Sequence, residues 1–127
     1  MRRGVVGIIF DKNKRLLILH RKLNWSGWEL PKGGVEENEN EEEALHREIG
    51  EETGLKVEIV SKLSYEISYV SDGEVKQKVF LARCKEGAVK LSGEHDNFVW
   101  VDFEKAMKLL THDNQKKALE AARRHLS

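Results

Sequence analysis

The segment GGVEENENEEEALHREIGEETGL, residues 33–55, decides the fold and carries the highest density of acidic residues. A helix is predicted over residues 40–53. Asn40 can cap its N-terminus, with Glu43 at the capping-box position. Gly54 can end the helix, because glycine adopts the left-handed backbone conformation at little cost. The segment is therefore predicted to form a loop, a helix and a second loop.

The predicted helix places acidic residues where a plain amphipathic helix would be apolar. On a helical wheel, Glu48, Glu51 and Glu52 fall on or beside the apolar stripe. That stripe consists of Ala44, Leu45 and Ile49. Carboxylates spaced i, i+3 and i+4 repel one another, and partial burial adds a desolvation cost. A shared divalent cation makes such a cluster favourable, and oxygen-only ligands suit Mg²⁺ or Mn²⁺.

Length and composition limit the class of protein. The 127 residues are expected to form one domain, 1–127, and the hydrophobic fraction of 39% is enough for one core. No apolar run approaches the roughly 20 residues of a membrane span, so no membrane association is expected. The N-terminal segment is interpreted as a strand and not as a signal peptide. The single cysteine, Cys84, excludes an intramolecular disulfide and a cysteine-rich zinc site, and we expect an intracellular, cytoplasmic protein.

The net charge of zero conceals an uneven distribution of charge. Residues 36–52 contain nine glutamates and one arginine, so the rest of the chain is net basic. This division suits a site in which carboxylates hold cations and basic residues hold an anionic substrate. Charge alone favours the simpler interpretation, a solvated acidic helix face. A nucleic-acid-binding protein would usually be basic overall.

The remaining pattern predicts a mixed α/β or α+β domain. Two strands are expected to form an N-terminal hairpin, and Asp72-Gly73 predicts a second hairpin turn. The segments 25–28 and 31–34 are expected to be irregular. Asp102 can cap a helix to Leu110, and Thr111 or Asp113 can cap the last helix. Strands are predicted at residues 5–10, 15–21, 56–60, 63–70, 75–84 and 97–101.

Residues 33–55 resemble the signature of a known family. Gly33, Glu39 and the run that begins at Arg47 fill every fixed position of the Nudix box, G-x5-E-x7-R-E-U-x-E-E-x-G-U, in which U is aliphatic. The order of predicted strands and helices is similar to that family over most of the chain. The resemblance implies a Nudix-type α/β/α sandwich with a mixed β-sheet and a loop-helix-loop catalytic motif.

The resemblance also implies an activity and residue roles. Nudix enzymes hydrolyse nucleoside diphosphates linked to another moiety. Glu48, Glu51 and Glu52 would hold Mg²⁺ or Mn²⁺, and one of them or a later glutamate would be the general base. Arg47 would pair with and orient carboxylates such as Glu39 or Glu48. Gly33 would let the backbone approach a metal, with a nearby carbonyl as ligand.

Two flanking segments resemble the asymmetric diadenosine tetraphosphate hydrolases. Residues 28–33, WELPKG, match the W-x-x-P-K-G entry to the box. Residues 91–100 contain the Ser-x-Glu-His run that precedes an aromatic-x-Trp strand. The resemblance implies cleavage of diadenosine tetraphosphate to ATP and AMP, and it makes Glu94 a candidate metal ligand or base, against the alternative of a loop carboxylate. A tyrosine that the subfamily often carries for adenine stacking is replaced here by Val79.

Substrate binding requires cations for the phosphates and an aromatic ring for the base. Lys32, which adjoins the box, is the first choice for the phosphates, followed by Arg21. Candidates for stacking are Trp25, Trp28, Tyr65, Tyr69 and Phe80. The two tryptophans are preferred because they lie in a polar loop. Each tyrosine or phenylalanine in a predicted strand also fits a role in the core. The expected partner is a nucleotide or dinucleoside polyphosphate, and the expected state is a monomer or homodimer.

Other functions stay open at this point. Within the family, the substrate could instead be an RNA 5′ end, an oxidised nucleotide, ADP-ribose or a diphosphoinositol polyphosphate; nucleic acid is a partner only in the first case. A non-catalytic Nudix-like module would carry a degenerate box, whereas this box is intact. A calcium-binding protein is disfavoured because no EF-hand loop is present. The five histidines do not have the spacing of metal ligands, and only His95, beside Glu94, is considered further.

Overall fold

A mixed seven-stranded β-sheet lies between helices on its two faces. The computed structural model describes residues 1–126, except for the side chain of Glu86. The strands are β1 Arg2–Phe10, β2 Leu16–Arg21, β3 Gly27–Glu29, β4 Lys32–Gly34, β5 Lys56–Val70, β6 Glu74–Glu86 and β7 His95–Val101. The helices are α1 Glu41–Thr53, α2 Phe103–Leu109, α3 Asp113–Ala121 and α4 Arg123–Leu126. In this described part, no helix is both long enough and apolar enough to cross a membrane.

Side chains of the central strands point alternately to the two faces of the sheet and so contribute to both halves of the core. Val5 and Ile9 of β1 pack under α1, with Leu45 and Ile49 of that helix. The residues between them in β1, such as Val6 and Ile8, face α2 and α3. Neighbouring strand residues point to opposite faces of a sheet, so one apolar strand serves both layers. The α/β/α arrangement predicted from the sequence is therefore confirmed.

The strand order differs from the predicted N-terminal hairpin. The order is β3-β2-β1-β6-β5, with β4 also paired to β1 and β7 to β2, and β1 runs parallel to β6. β1 and β2 pair antiparallel only at Phe10 and Leu16. Beyond that point both edges of β2 are occupied, by β7 on one side and β3 on the other. The predicted hairpin is thus reduced to the turn itself.

Two segments expected to be irregular are short strands. β3 pairs with β2, and β4 pairs antiparallel with β1, where Gly33 lies opposite Val5. A strand of three residues is too short to show the alternation from which strands are predicted. The two strands expected at 56–60 and 63–70 form one strand, β5, whose register against β6 shifts near Ile59 and Lys62.

The ends of α1 are formed as predicted. The Asn40 side chain accepts a hydrogen bond from the backbone N–H of Glu43, and the Glu43 side chain accepts one from the N–H of Asn40, both at 2.8 Å. Gly54 ends the helix with φ of 71°. The helix packs closely on β1 at Gly7, where an added Cβ would lie 3.3 Å from Leu45 and Ile49 methyl carbons.

Of the two N-caps predicted for the C-terminal helices, one is confirmed. Asp102 accepts a hydrogen bond from the backbone N–H of Lys105 at 2.8 Å and so caps α2. The N-cap of α3 is His112, which makes no side-chain capping bond, so the expectation of Thr111 or Asp113 is wrong. The Thr111 hydroxyl instead accepts a hydrogen bond from the backbone N–H of Trp28 at 2.9 Å. It joins the segment before α3 to β3.

Candidate active site

The three carboxylates of α1 differ in their exposure. Glu52 is buried, with 4% of its surface exposed, and its Oε1 accepts a hydrogen bond from the backbone N–H of Lys32 at 3.0 Å. Glu48 is half-buried, whereas the side chain of Glu51 is 59% exposed. The helix therefore directs Glu48 and Glu52 toward the sheet and leaves Glu51 at the rim.

Arg47 joins the loop before α1 to the carboxylates on it. Its Nε and one terminal nitrogen donate to the two oxygens of Glu39, at 3.1 and 2.7 Å. The other terminal nitrogen donates to Glu48 Oε1 at 2.7 Å, and the Gly34 carbonyl accepts a further bond at 2.7 Å. A bidentate arginine–carboxylate pair fixes orientation as well as charge. Arg47 thus makes the contacts with Glu39 and Glu48 that the family resemblance implied.

Gly33 lets Glu48 approach the backbone of β4. A Cβ added at Gly33 would lie 2.0 Å from the carboxyl carbon of Glu48, so a larger residue has no space there. The resemblance suggested that this glycine allows close approach to a metal. In the structure the group that comes close is the Glu48 carboxylate.

Burial and mutual repulsion both disfavour the charged forms of these carboxylates. Burial raises the pKa of Glu52 to about 8; the N–H of Lys32 opposes this shift, and the charges of Glu29, Glu48 and Glu94 add to it. Burial also raises the pKa of Glu48, against the stabilising contact with Arg47. A cluster of this kind favours a bound cation, because positive charge relieves the repulsion and offsets the desolvation.

Glu94 joins this cluster from the loop before β7. One oxygen of Glu52, one of Glu94 and one ring nitrogen of His95 lie within 4.8 Å of one another. The Glu94 carboxylate is 3.6 Å from a guanidinium nitrogen of Arg21, and its backbone carbonyl accepts a hydrogen bond from the N–H of Lys22. The loop is therefore held against the end of β2, with Glu94 beside the α1 carboxylates.

A buried polar contact under the cluster, between Glu29 and His95, was missed in the sequence. Glu29 and His95 have no exposed side-chain surface, and Glu29 Oε2 lies 2.7 Å from His95 Nε2 and 3.1 Å from Arg21. Although burial raises the pKa of Glu29, the contacts with His95, Lys32 and Arg21 outweigh it and hold the pKa below its usual value. The available signal was a charged residue within WELPKG, a segment otherwise considered only for its family pattern.

Two clefts meet at Lys32, the residue whose backbone N–H is bonded to Glu52. The larger, of about 550 Å³, is lined by residues that include Arg2 and Arg3. The smaller, of about 340 Å³, is lined by residues that include Trp25 and His112. Both clefts share three lining residues, which are Lys32, Tyr69 and Gln77. The predicted substrate residues Lys32 and Tyr69 thus lie where the two clefts meet.

The structure corrects the expectation for Phe80, and two other expected substrate residues, Trp28 and Arg21, line neither cleft. Phe80 is 1% exposed and belongs to the core beneath α1, so it has no face for a base. Trp28 packs on the core on the side of α2 and α3 and against the ring of His20, and it lines neither cleft. The Arg21 guanidinium is engaged by Glu29 and Glu94 and positions carboxylates. Trp25, in contrast, lines the smaller cleft.

The arrangement matches a known family. The model of the NUDIX domain matches residues 1–124. The chain belongs to the Nudix family. It is a Nudix hydrolase of phosphoanhydride bonds, with the mixed sheet and box helix of that fold.

Two of the similar proteins are named for different substrates. The RNA pyrophosphohydrolase of Ruthia magnifica subsp. Calyptogena magnifica is 34% identical over 123 residues, which cover 80% of this chain and 68% of the relative. The C. elegans Ap4A hydrolase, solved as a binary complex, is 25% identical with a TM-score of 0.88, over 99% of this chain and 98% of that one. The MutT protein from Methanosarcina mazei Go1 is 27% identical with a TM-score of 0.84, over 98% and 94%. This Nudix hydrolase therefore has relatives with different substrates in their names.

Proposed function

We propose that this Nudix hydrolase cleaves diadenosine tetraphosphate asymmetrically to ATP and AMP. The proposal is based on the position of Lys32. Its backbone N–H is bonded to Glu52, its ammonium lies 3.8 Å from Glu29 Oε1, and the residue lines both clefts. One residue therefore connects the carboxylates to two adjoining spaces, and a dinucleoside polyphosphate has a nucleoside at each end. The likeness to the C. elegans Ap4A hydrolase over nearly its whole length supports the same substrate.

The carboxylates fit a divalent cation. Glu48, Glu52 and Glu94 present oxygen donors around a buried, mutually repelling cluster, and Glu51 stands at its rim. We infer that these residues hold Mg²⁺ or Mn²⁺. When bound, the cation supplies the positive charge that a phosphoanhydride needs on its oxygens and the activation of the attacking water. Arg47 keeps Glu48 in place against Gly33, and Arg21 keeps Glu94 beside it.

The proposed reaction is a hydrolysis. The oxygen of water forms a bond to one phosphorus of the tetraphosphate, and the bond from that phosphorus to its bridging oxygen breaks. One product is ATP and the other is AMP, and a carboxylate of the cluster accepts the proton released from the water. Asymmetric cleavage requires one adenosine at a fixed distance from the carboxylates.

In the proposed complex, the clefts determine the distance between the bound adenosine and the carboxylates. Their volumes of about 550 and 340 Å³ are in the range of small-ligand sites. In the proposed complex, Tyr69 stacks on one adenine, and the Lys32 ammonium pairs with the phosphate chain. The second adenosine enters the smaller cleft beside Trp25 and His112, whose rings are in edge contact at 4.7 Å. Tyr69 thereby replaces the stacking tyrosine that is absent at Val79, which is fully buried.

A second candidate substrate is the triphosphorylated 5′ end of RNA. The sequence relatives named RNA pyrophosphohydrolase favour it, and so do Arg2 and Arg3 in the larger cleft. The net charge of zero disfavours it, because binding a nucleic-acid backbone depends on cationic surface. In this case the enzyme would release diphosphate or two phosphates from the RNA end.

A substrate panel separates the two candidates. Values of kcat/KM are measured with Mg²⁺ and with Mn²⁺ for diadenosine tetraphosphate, triphosphorylated RNA, ADP-ribose and an oxidised nucleoside triphosphate. We expect the highest value for diadenosine tetraphosphate. No turnover of that compound beside rapid turnover of RNA ends would overturn the proposal in favour of the second candidate.

A further inference from the structure

The chain contains two glutamines, Gln77 and Gln115, and both line the smaller cleft. Both are almost fully buried, with 5% of Gln77 and 3% of Gln115 exposed. Gln77 belongs to β6 and Gln115 to α3, so one approaches the cleft from the sheet and the other from a helix packed on it. Glutamines are mostly exposed in proteins, and a buried amide needs hydrogen-bond partners. We therefore asked what the two amides could bind.

A contact with Leu30 determines the orientation of the Gln115 amide. Gln115 Oε1 accepts a hydrogen bond from the backbone N–H of Leu30 at 2.8 Å. A backbone N–H can only donate, so the atom that it meets must be the amide oxygen. The amide nitrogen, with its two hydrogens, has no hydrogen-bond partner among the described residues. Gln115 therefore presents a hydrogen-bond donor to a molecule in the smaller cleft.

The amide of Gln77 can both donate and accept. In the sheet, Gln77 lies between Gly4 of β1 and Ile67 of β5. A Cβ added at Gly4 would lie 3.2 Å from Gln77 Cγ, so this glycine leaves space for the glutamine side chain. No described residue forms a hydrogen bond with the Gln77 amide. Because the fully buried, unpaired side-chain atoms of the described residues are Glu29 Oε1 and His95 Nδ1, solvent still reaches this amide, from the clefts that it lines.

We propose that Gln77 and Gln115 bind the edge of a purine base in the smaller cleft and select adenine over guanine. The inference rests on the proposed function, since the base belongs to the substrate proposed above. A glutamine amide forms two hydrogen bonds with adenine: its oxygen accepts from the N6 amino group and its nitrogen donates to N7. On the same edge guanine presents O6 and N7, which are both acceptors, so the Gln77 oxygen would stay unpaired. The nitrogen of Gln115 supplies a donor for a further ring nitrogen of adenine.

Nuclear magnetic resonance of the two side-chain amides tests the contact directly. Protein made with ¹⁵N in its glutamine side chains has two such amide groups, one for each glutamine. In the presence of Mg²⁺, titration with AMP should shift the signals of both groups, and GMP should bind more weakly by about 5- to 150-fold. Ribose 5-phosphate, which has the sugar and the phosphate without the base, should leave both signals in place. No shift in excess AMP, or the same shifts with ribose 5-phosphate, would overturn the inference.

A matched pair of variants tests the selectivity. Gln77→Met keeps the length of the side chain and removes both hydrogen-bonding groups. The readout is the ratio of kcat/KM for diadenosine tetraphosphate to that for diguanosine tetraphosphate, which should be about 5 to 150 in the wild type and should fall close to 1 in the variant. The control is Lys76→Met, because Lys76 is the neighbouring residue of β6, points to the other face of the sheet and lines neither cleft. It should keep the wild-type ratio.

The outcomes separate this inference from the proposed function. A wild-type ratio in a folded Gln77→Met protein would overturn the adenine selection, while cleavage of diadenosine tetraphosphate to ATP and AMP would leave the function standing. Shifts of both amide signals with AMP, without turnover of that substrate, would support the base site and overturn the function. If Gln77→Met does not fold, the AMP, GMP and ribose 5-phosphate titrations of the wild-type protein decide.

Discussion

The backbone N–H of Lys32 donates a hydrogen bond to the carboxylate of Glu52 at 3.0 Å. This contact joins β4 to the buried side of α1 across 20 residues of sequence. It holds the most buried acidic residue of the box beside the lysine that lines both clefts. In the proposed complex, Lys32 therefore links the bound substrate to the carboxylate cluster.

Hydrolysis should require a divalent cation. Burial raises the pKa of Glu48 and of Glu52, and neighbouring carboxylates add to both shifts, so a bound cation would stabilise the charged forms. We expect activity to stop in excess chelator and to return when Mg²⁺ or Mn²⁺ is added in excess over the chelator. Full turnover in the presence of chelator would contradict the assignment of these residues as ligands.

Glu52→Gln should lower kcat while the fold survives. The change keeps the volume of the side chain and removes a ligand charge, so a loss of about 100-fold or more is expected. Glu42→Gln, an exposed position on the same helix, is the control and should keep wild-type kcat. Circular dichroism of both variants checks the fold. Wild-type kcat in Glu52→Gln would refute the role of this residue.

The stability of the metal-free protein should depend on Glu52. Its pKa is about 8 in the folded protein and about 4.3 in an unfolded chain. Between these values the unfolded chain releases the proton first, so the folded state loses stability as pH rises and the loss ends above pH 8. Each pKa unit corresponds to about 1.4 kcal/mol, which makes the total a few kcal/mol.

Denaturant unfolding in chelator measures this effect. The free energy of unfolding of the wild type should fall between about pH 4.5 and pH 8 relative to Glu52→Gln. The variant should be the more stable protein at pH 9, and the difference should vanish near pH 4. Parallel curves for the two proteins over this range would contradict the buried position of the charge.

Gly33→Ala should reduce activity through Glu48. The new methyl group would meet the Glu48 carboxyl group at 2.0 Å, so that side chain must leave its contact with Arg47. We expect kcat to fall by about tenfold or more, on the scale of a misplaced catalytic group. The matched control is Gly50→Ala, where an added Cβ meets no atom within 4 Å. It should keep kcat and gain about 0.5–1 kcal/mol, because alanine favours the helix.

Tyr69→Leu should weaken substrate binding. Stacking of an aromatic side chain on a base is worth about 1–3 kcal/mol, so KM for diadenosine tetraphosphate should rise by roughly 5- to 150-fold with a smaller change in kcat. Tyr69→Phe retains the ring and should stay near the wild-type KM. An unchanged KM in Tyr69→Leu would place the adenine elsewhere in the clefts.

Local sequence signals predicted the box helix well. The capping pair of Asn40 and Glu43 and the C-terminal Gly54 act within a few residues, and all three have the predicted roles. The wheel placed Glu48, Glu51 and Glu52 on or beside the buried face because helical periodicity determines the face. Glu48 and Glu52 lie there, whereas the Glu51 side chain is exposed, so that part of the prediction is wrong. These features required no knowledge of the rest of the chain.

Features that depend on distant contacts were not predictable in the same way. The pair of Glu29 and His95 joins residues 66 positions apart, and no periodicity relates them. Phe80 was a candidate for base stacking because it lies in the strand where the subfamily often carries a tyrosine, which is absent here at Val79. The sheet instead places its ring beneath α1, in the other direction from the clefts. Which face of a central strand a residue occupies depends on register, and register depends on tertiary pairing.

The products formed from diadenosine tetraphosphate test the central claim most directly. Chromatography of a Mg²⁺-containing reaction should show equal amounts of ATP and AMP, with no products in excess chelator and very little from Glu52→Gln. Formation of two molecules of ADP, or the same product yield in chelator, would contradict the account.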